Sequence, residues 1–283
     1  FWGRNHVRVL KDLPNVELRA VCDSNENRAH QVGEIYHAKP YKNYLKMFQN
    51  EDLDAISIAV PTQLHTEIIL NSLDHVKNIL VEKPIALSFD EAKRAVDCAD
   101  NKGVNLMVGH IERFNPIVHK MQKMIVHEEI ERPVVALARR IGPRSLRILD
   151  QGVVLGLAIH DIDILRYVLS CEIKQVYAKT LTVFSAFEDY AVLVLEFEGR
   201  RLCTIEASQL SPHKARTLDV SFQKTHIRLD LLKQTMHVYR QHEDKVVRKE
   251  VHVKKEEPLR IELQHFINCL LYTSPSPRDR TRS

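Results

Sequence analysis

Three places in the sequence combine residue types that can do chemistry. The apolar run Ile79–Val81 in NILVEKPIAL ends abruptly in Glu82, Lys83 and Pro84. A strand-end lysine is ordinarily a solvated charge. Flanked by a carboxylate and a turn-constraining proline, however, an ammonium can also be held against a reacting hydroxyl, with burial and the carboxylate pulling its proton affinity in opposite directions. His160 stands in VVLGLAIHDIDILRYVLS among Ile159, Ile162 and Leu165. Helical spacing there fits a buried, satisfied histidine as well as a general base. Arg139, Arg140, Arg144 and Arg147 cluster in RRIGPRSLR, where guanidinium forks suit bidentate binding of a diphosphate and equally suit a solvated strand and loop.

A fourth group is spread along the first hundred residues. Gly3 precedes a helix and Asp23 ends a strand twenty residues later. In a dinucleotide-binding unit a glycine lets helix and sheet approach, and an acidic residue about that far on accepts from the adenosine ribose. The same pair also reads as a helix-start glycine and a turn aspartate. An acid at this position repels a 2′-phosphate, so NAD is favoured over NADP. In AVPTQLH, Pro61, Thr62 and His65 follow a strand and can line the crevice at the sheet's carboxyl edge, or serve only as a helix entry with Thr62 as N-cap.

The elements that must position these residues follow from periodicity. Apolar runs in VELRAVCD, LDAISIAV, NILVEKP and NLMVGH alternate with amphipathic segments, which predicts a doubly wound parallel sheet covered by helices. Ser88 with Glu91 forms a capping box and Gly103 closes that helix. Beyond residue 132 one helix lies among long alternating strands, IKQVYAKTLTV, YAVLVLEFEG, RLCTIEASQL, RTLDVSFQKTHIRLD and KVVRKEVHV, which predicts an α+β domain on an open antiparallel sheet. Pro116 in ERFNP fits the first turn of a further helix.

Length and composition are those of a two-domain soluble protein: 283 residues, 44% hydrophobic. No apolar run is long enough to cross a bilayer, and a cytoplasmic protein is expected. Cys22, Cys98, Cys171, Cys203 and Cys269 are scattered, so reduced thiols are expected and neither structural zinc nor any other metal site is. Residues 269–283, with CLLYTSPSPRD, read as the translation of a sequencing adapter and are set aside. Without that tail's three arginines and one aspartate, 38 basic and 36 acidic residues remain, too even a balance for a nucleic-acid partner. Phe1 already lies in a helix start, so the chain reads as a fragment whose first strand, central in the order 3-2-1-4-5-6, is missing; weak NAD binding is expected of it.

Taken in order, WGRNH, Asp23, PTQLH, EKP, GHIERFNP and DQGVVLGLAIHDID resemble the Gfo/Idh/MocA oxidoreductases over most of residues 1–268. GHIERFNP, RRIGPRSLR and the last motif are most similar to the branch that acts on UDP-N-acetylglucosamine at C3. The resemblance implies a Rossmann-type NAD domain over 1–112 and a substrate and oligomerisation domain over 113–268. It implies Lys83 and His160 as catalytic residues, with His160 favoured as base and Lys83 as hydrogen-bond donor, and a Lys83–Pro84 bond that is often cis. Trp2, Gly3, Asp23, Pro61, Thr62, His65, Glu82 and Lys83 would face the cofactor. Arg113, Asn115, Arg140, Arg144, Arg147, His160 and Asp163 would face a nucleotide sugar. A homo-oligomer is expected from an apolar outer sheet face. One departure stands out: the branch commonly has an aspartate four residues before the histidine, where this chain has Gly156. An inositol or free-sugar dehydrogenase, and a cofactor-binding regulator with impaired turnover, are the alternatives.

Overall fold

The structure is a computed structural model and describes residues 2–127, 130, 132–144, 151–243 and 245–273. It divides into two compact units, Phe1–Gly109 together with the chain from Leu259, and His110–Pro258. The division thus falls a few residues before the expected 112/113 boundary, and the last helix joins the first unit rather than the second.

In the first unit five parallel strands alternate with helices. They are α1 (Gly3–Asp12), β1 (Ala20–Cys22), α2 (Glu26–Tyr36), β2 (Lys39–Tyr41), α3 (Tyr44–Asn50), β3 (Ala55–Ile58), α4 (His65–Ser72), β4 (Asn78–Glu82), α5 (Phe89–Asn101) and β5 (Asn105–Gly109). The strands pair as β1–β2 and as β3–β4–β5, all parallel. Among the described residues β1 and β3 each have one strand neighbour. β4 is buried along its whole length, which is why Ile79, Leu80 and Val81 form an unbroken apolar run. Ala95 and Ala99, one turn apart on α5, and Ile69 of α4 share its core. Ser88 Oγ accepts from Glu91 N at 3.3 Å, and Gly103, with φ +63°, closes the helix end.

The second unit is built on an eight-stranded sheet. Its elements are α6 (Pro116–Val126), β6 (Val135–Pro143), a π-helical turn (Val154–Ala158) leading into α7 (Ile159–Leu169), then β7 (Ile173–Leu181), β8 (Tyr190–Phe197), β9 (Arg201–Ser208), β10 (Leu210–Ser221), β11 (Thr225–Asp230), β12 (Thr235–His242) and β13 (Lys245–Val251). The order is β13-β12-β11-β10-β6-β9-β8-β7. The expected antiparallel sheet is mixed, because β6 and β9 run parallel while every other pair is antiparallel. Segment 216–230 is a hairpin of β10 and β11 rather than one strand. With period two, Ala136, Ala138, Leu193, Leu195, Ile205, Leu218 and Ile227 face a core shared with Ile117 and Met121 of α6 and Ile164 and Leu165 of α7. The other face exposes Val135, Leu137 and Leu202.

The chain closes with α8 (Pro258–Thr273), which continues the helix beyond Asn268 and into the stretch set aside as adapter-derived. Residues 274–283 lie outside the described residues.

Candidate active site

In the first unit the end of β4 separates its two charges. Successive side chains on a strand leave by opposite faces, so Glu82 and Lys83 diverge. The Glu82 carboxylate is buried and accepts a hydrogen bond from Trp2 Nε1 at 2.8 Å, while its Oε1 lies 3.0 Å from His6 Nε2. His6 Nδ1 lies 2.8 Å from Ser57 Oγ on β3. A carboxylate at the end of a core strand therefore anchors α1 to β3 and β4. Glu82 and Trp2, both expected to face a cofactor, are thus bonded to each other, with Trp2 still 38% exposed. Gly109, opposite Glu82 on β5, leaves room for that carboxylate, since a Cβ there would stand 3.2 Å from Oε1.

Lys83 itself is half-buried, and its bond to Pro84 is cis. The turn is braced from beneath by His65, 1% exposed, whose ring nitrogens lie 2.9 Å from the Pro84 carbonyl oxygen and 3.0 Å from that of Val60. His65 thus holds the Lys83–Pro84 turn against the end of β3 rather than lining the crevice. Thr62 is buried and opens a short 3-10 turn whose N-cap is the exposed Pro61, not Thr62.

Asp23 ends β1 with a half-exposed carboxylate. Its Oδ1 accepts from Asn25 N at 2.9 Å, and its Oδ2 pairs with Arg28 Nε at 2.8 Å. The first turn of α1 has no side-chain cap, and within it Asn5 N donates to the Trp2 carbonyl at 2.8 Å. Gly3 comes near β3's end without being tight: an added Cβ would stand 3.7 Å from Ala59 Cβ, an ordinary contact.

In the second unit the arginine cluster is dispersed. Arg139 points to the outer sheet face and pairs with Glu206 at 2.7 Å. Arg140 shares the inward parity of Ala136 and Ala138 and is 1% exposed. Its Nε and Nη2 donate to Asp161 at 2.7 and 2.9 Å, and its Nη1 donates to Glu112 at 2.9 Å. Three of its five N–H donors thus go to buried carboxylates and the guanidinium is enclosed, so the expected diphosphate contact Arg140 is found in a buried ion-pair network. Burial pushes the Glu112 carboxyl up, but Arg140 and Arg216 outweigh it and hold it below its ordinary value. Asn115 is 1% exposed and donates to Glu112 and to the Leu231 carbonyl, so it too belongs to this buried network rather than to a substrate surface. Arg113 donates to both oxygens of Asp163 through Nε and to Oδ1 through Nη2 at 2.6 Å, so these two expected substrate contacts are joined to each other. Arg147 lies outside the described residues.

His160 is half-buried at the start of α7, next to the buried Asp161 and one turn before the buried Ile164. Gly156 lies in the π-helical turn, and an added Cβ would meet nothing within 4 Å. The turn is capped by Glu188, whose Oε1 accepts from Val154 N at 3.0 Å. Glu112, Glu188, Asp189 and Arg216 are missed in the sequence, although the parity of Ala136, Ala138 and Arg140 already signals a buried arginine that requires acids.

A parallel helix-covered sheet with an acid at its first strand end, followed by a sheet-based second unit, defines a two-unit nucleotide-binding oxidoreductase architecture. The family described as "Oxidoreductase family, NAD-binding Rossmann fold" matches residues 1–110, and the "GFO/IDH/MocA C-terminal domain" matches 118–228. The chain belongs to the Gfo/Idh/MocA oxidoreductases. Two Bacillus subtilis relatives, the uncharacterized oxidoreductase YrbE and scyllo-inositol 2-dehydrogenase (NAD(+)), are each 29% identical over 223 residues. These alignments take in 73% and 75% of this chain but only 64% and 65% of theirs, so the chain spans less than two thirds of either relative. UDP-N-acetylglucosamine 3-dehydrogenase of Acidithiobacillus ferrooxidans is 25% identical over 279 residues, 96% of this chain and 87% of that protein. A solved structure of that enzyme superposes with a TM-score of 0.88 at 24% identity, covering 97% of this chain and 87% of the other, a likeness of fold. Among the described residues no helix is long and apolar enough to cross a membrane, and no cluster of acids, histidines and cysteines could hold a metal ion.

Proposed function

We propose that this protein is an NAD-dependent dehydrogenase that oxidises the C3 hydroxyl of a UDP-N-acetyl-hexosamine. The observation that carries this reading is that the likeness to UDP-N-acetylglucosamine 3-dehydrogenase runs through both units and nearly the whole chain, whereas the likeness to scyllo-inositol 2-dehydrogenase leaves a quarter of it uncovered.

The first unit fits a dinucleotide. The half-exposed Asp23 carboxylate offers acceptors to a ribose diol and disfavours a 2′-phosphate, and α1 begins without a side-chain cap where a diphosphate would lie. When bound, NAD supplies the acceptor for a hydride. In this reading the catalytic residues are His160, as the base that takes the proton of the C3 hydroxyl, and Lys83, braced by His65, as a hydrogen-bond donor. The protein works in the cytoplasm as a homo-oligomer, with Val135, Leu137 and Leu202 on the outer sheet face as the apolar surface to be covered.

Gly156 favours a second reading, a cofactor-binding regulator with impaired turnover. The space around Gly156 accepts an added Cβ, so Gly156→Asp is the repair to test. NADH formation by the full-length protein and by this variant, with UDP-N-acetylglucosamine or myo-inositol, separates the alternatives. Turnover of the nucleotide sugar without repair supports the dehydrogenase and excludes the regulator. Turnover of inositol alone, or none even after repair, overturns the proposal.

A further inference from the structure

A cavity of about 210 Å³ opens within the second unit, lined by Arg144, Gln151, Phe184, Ser185, Phe187 and Gln209. Complete small-molecule sites run to roughly 300–1,000 Å³, so this one holds part of a larger ligand. Its aromatic wall is on display: Phe184 is 64% exposed and Phe187 39%. Exposed phenylalanines on a slack loop would be unremarkable, but this loop is pinned. The fully buried carboxylate of Asp189 accepts through Oδ2 from the backbone N–H groups of Val183, Phe184 and Ser185, at 2.7, 2.7 and 3.2 Å. Ser185 Oγ donates to the Phe187 carbonyl at 2.7 Å.

The same carboxylate fixes the polarity of the cavity's floor. Gln209 Nε2 donates to Asp189 Oδ1, and since a carboxylate only accepts, the Gln209 amide cannot be reversed. Its Oε1 is left as an acceptor. Gln151 Oε1 is buried without a hydrogen-bond partner among the described residues. The cavity therefore combines two acceptor oxygens, aromatic faces and, in Arg144, a cation.

Resting on the nucleotide-sugar reading above, we propose that this cavity is the base subsite for the uracil ring of the substrate. A phenylalanine stacks on the ring, a glutamine carbonyl receives the imide N3–H, and Arg144 faces the attached phosphates. Uracil N3 carries a hydrogen and cytosine N3 does not, while cytosine's amine donates only from the neighbouring ring position, so an acceptor set opposite N3 discriminates between them.

The test is calorimetric titration of UDP and CDP into the NAD-loaded full-length protein and its Phe184→Ala, Arg144→Ala and Gln151→Leu variants. UDP is expected to bind about tenfold more tightly than CDP, and Phe184→Ala to weaken UDP about tenfold, the scale of one lost base stack. Arg144→Ala weakens both nucleotides, Gln151→Leu narrows the preference, and the KM for UDP-N-acetylglucosamine rises in step. Because Phe184 and Arg144 are at the surface of the cavity, an unchanged thermal unfolding midpoint in these variants certifies the fold. Equal binding of UDP and CDP, or unaltered UDP affinity in Phe184→Ala and Arg144→Ala, overturns the subsite. If UDP-N-acetylglucosamine is nevertheless oxidised, only the subsite fails; if UDP does not bind and no nucleotide sugar is turned over, the functional reading fails with it.

Discussion

Asp161, the residue after His160, receives two hydrogen bonds from Arg140 of β6, at 2.7 and 2.9 Å, with both side chains almost wholly buried. The first turn of α7 is thereby fastened to the middle of the sheet by a charge pair whose geometry a lysine cannot reproduce. Removing one partner of such a pair leaves the other as an uncompensated buried charge. Arg140→Met is expected to destabilise the protein by about 3–5 kcal/mol, read from urea unfolding. Arg140→Met with Asp161→Leu should recover part of that loss, because Glu112 keeps Arg216 at 3.1 Å. A single variant as stable as the wild type would refute a fastening role.

Glu82 and Trp2 offer a spectroscopic reading of the other unit. Trp2 is the chain's one tryptophan, and its indole N–H donates to a buried carboxylate. Glu82→Ala takes the acceptor from both Trp2 and His6, at a cost of about 1–3 kcal/mol. The tryptophan emission should shift to longer wavelength as α1 loosens from β4. Emission identical to that of the wild type in the folded variant would show that the contact does not hold the helix.

Much of this was legible in the sequence because one period dominates each segment. β4 reads as buried since Ile79, Leu80 and Val81 are apolar on both faces, and α5 reads as a helix with both ends marked by Ser88 and Gly103. β2 and α3 were not readable: three residues with Pro40 in the middle give no strand pattern, and α3 is only seven residues long. The parallel β6–β9 pair was hidden for another reason, as alternation reports which face is buried and not which way a neighbour runs. At the site, residue type suggested ligand contacts for Arg140, Asn115, Glu82 and His65. The structure encloses all four against protein partners, Asn115 through its amide N–H groups alone.

The two glycines before His160 should respond in opposite ways. A Cβ at Gly152 would stand 2.0–2.2 Å from the Glu188 carboxyl group, which caps Val154 N. Gly152→Ala must displace that cap and is expected to cost about 1 kcal/mol. Gly156→Ala meets nothing within 4 Å and replaces a helical glycine, so it should be neutral or stabilising by up to about 1 kcal/mol. Thermal unfolding of the two variants side by side checks the order; a Gly156→Ala protein less stable than Gly152→Ala would contradict it.

Asp189 makes the aromatic loop's order depend on pH in a defined direction. The backbone N–H of Phe184 foremost, joined by Val183, Ser185 and Gln209, holds its carboxyl well below the usual carboxylate range against the opposing effect of burial. A group whose value is lowered by folding stabilises the fold above its unfolded value, near pH 4, and loses that contribution only as pH falls through the lower folded value. The stability difference between wild type and Asp189→Asn should therefore stay constant from neutral pH down to about pH 4 and shrink below it. Urea unfolding of both proteins across that range provides the measurement. A difference already fading near pH 6, or none at neutral pH, would mean that the carboxylate is not what holds residues 183–185 in place.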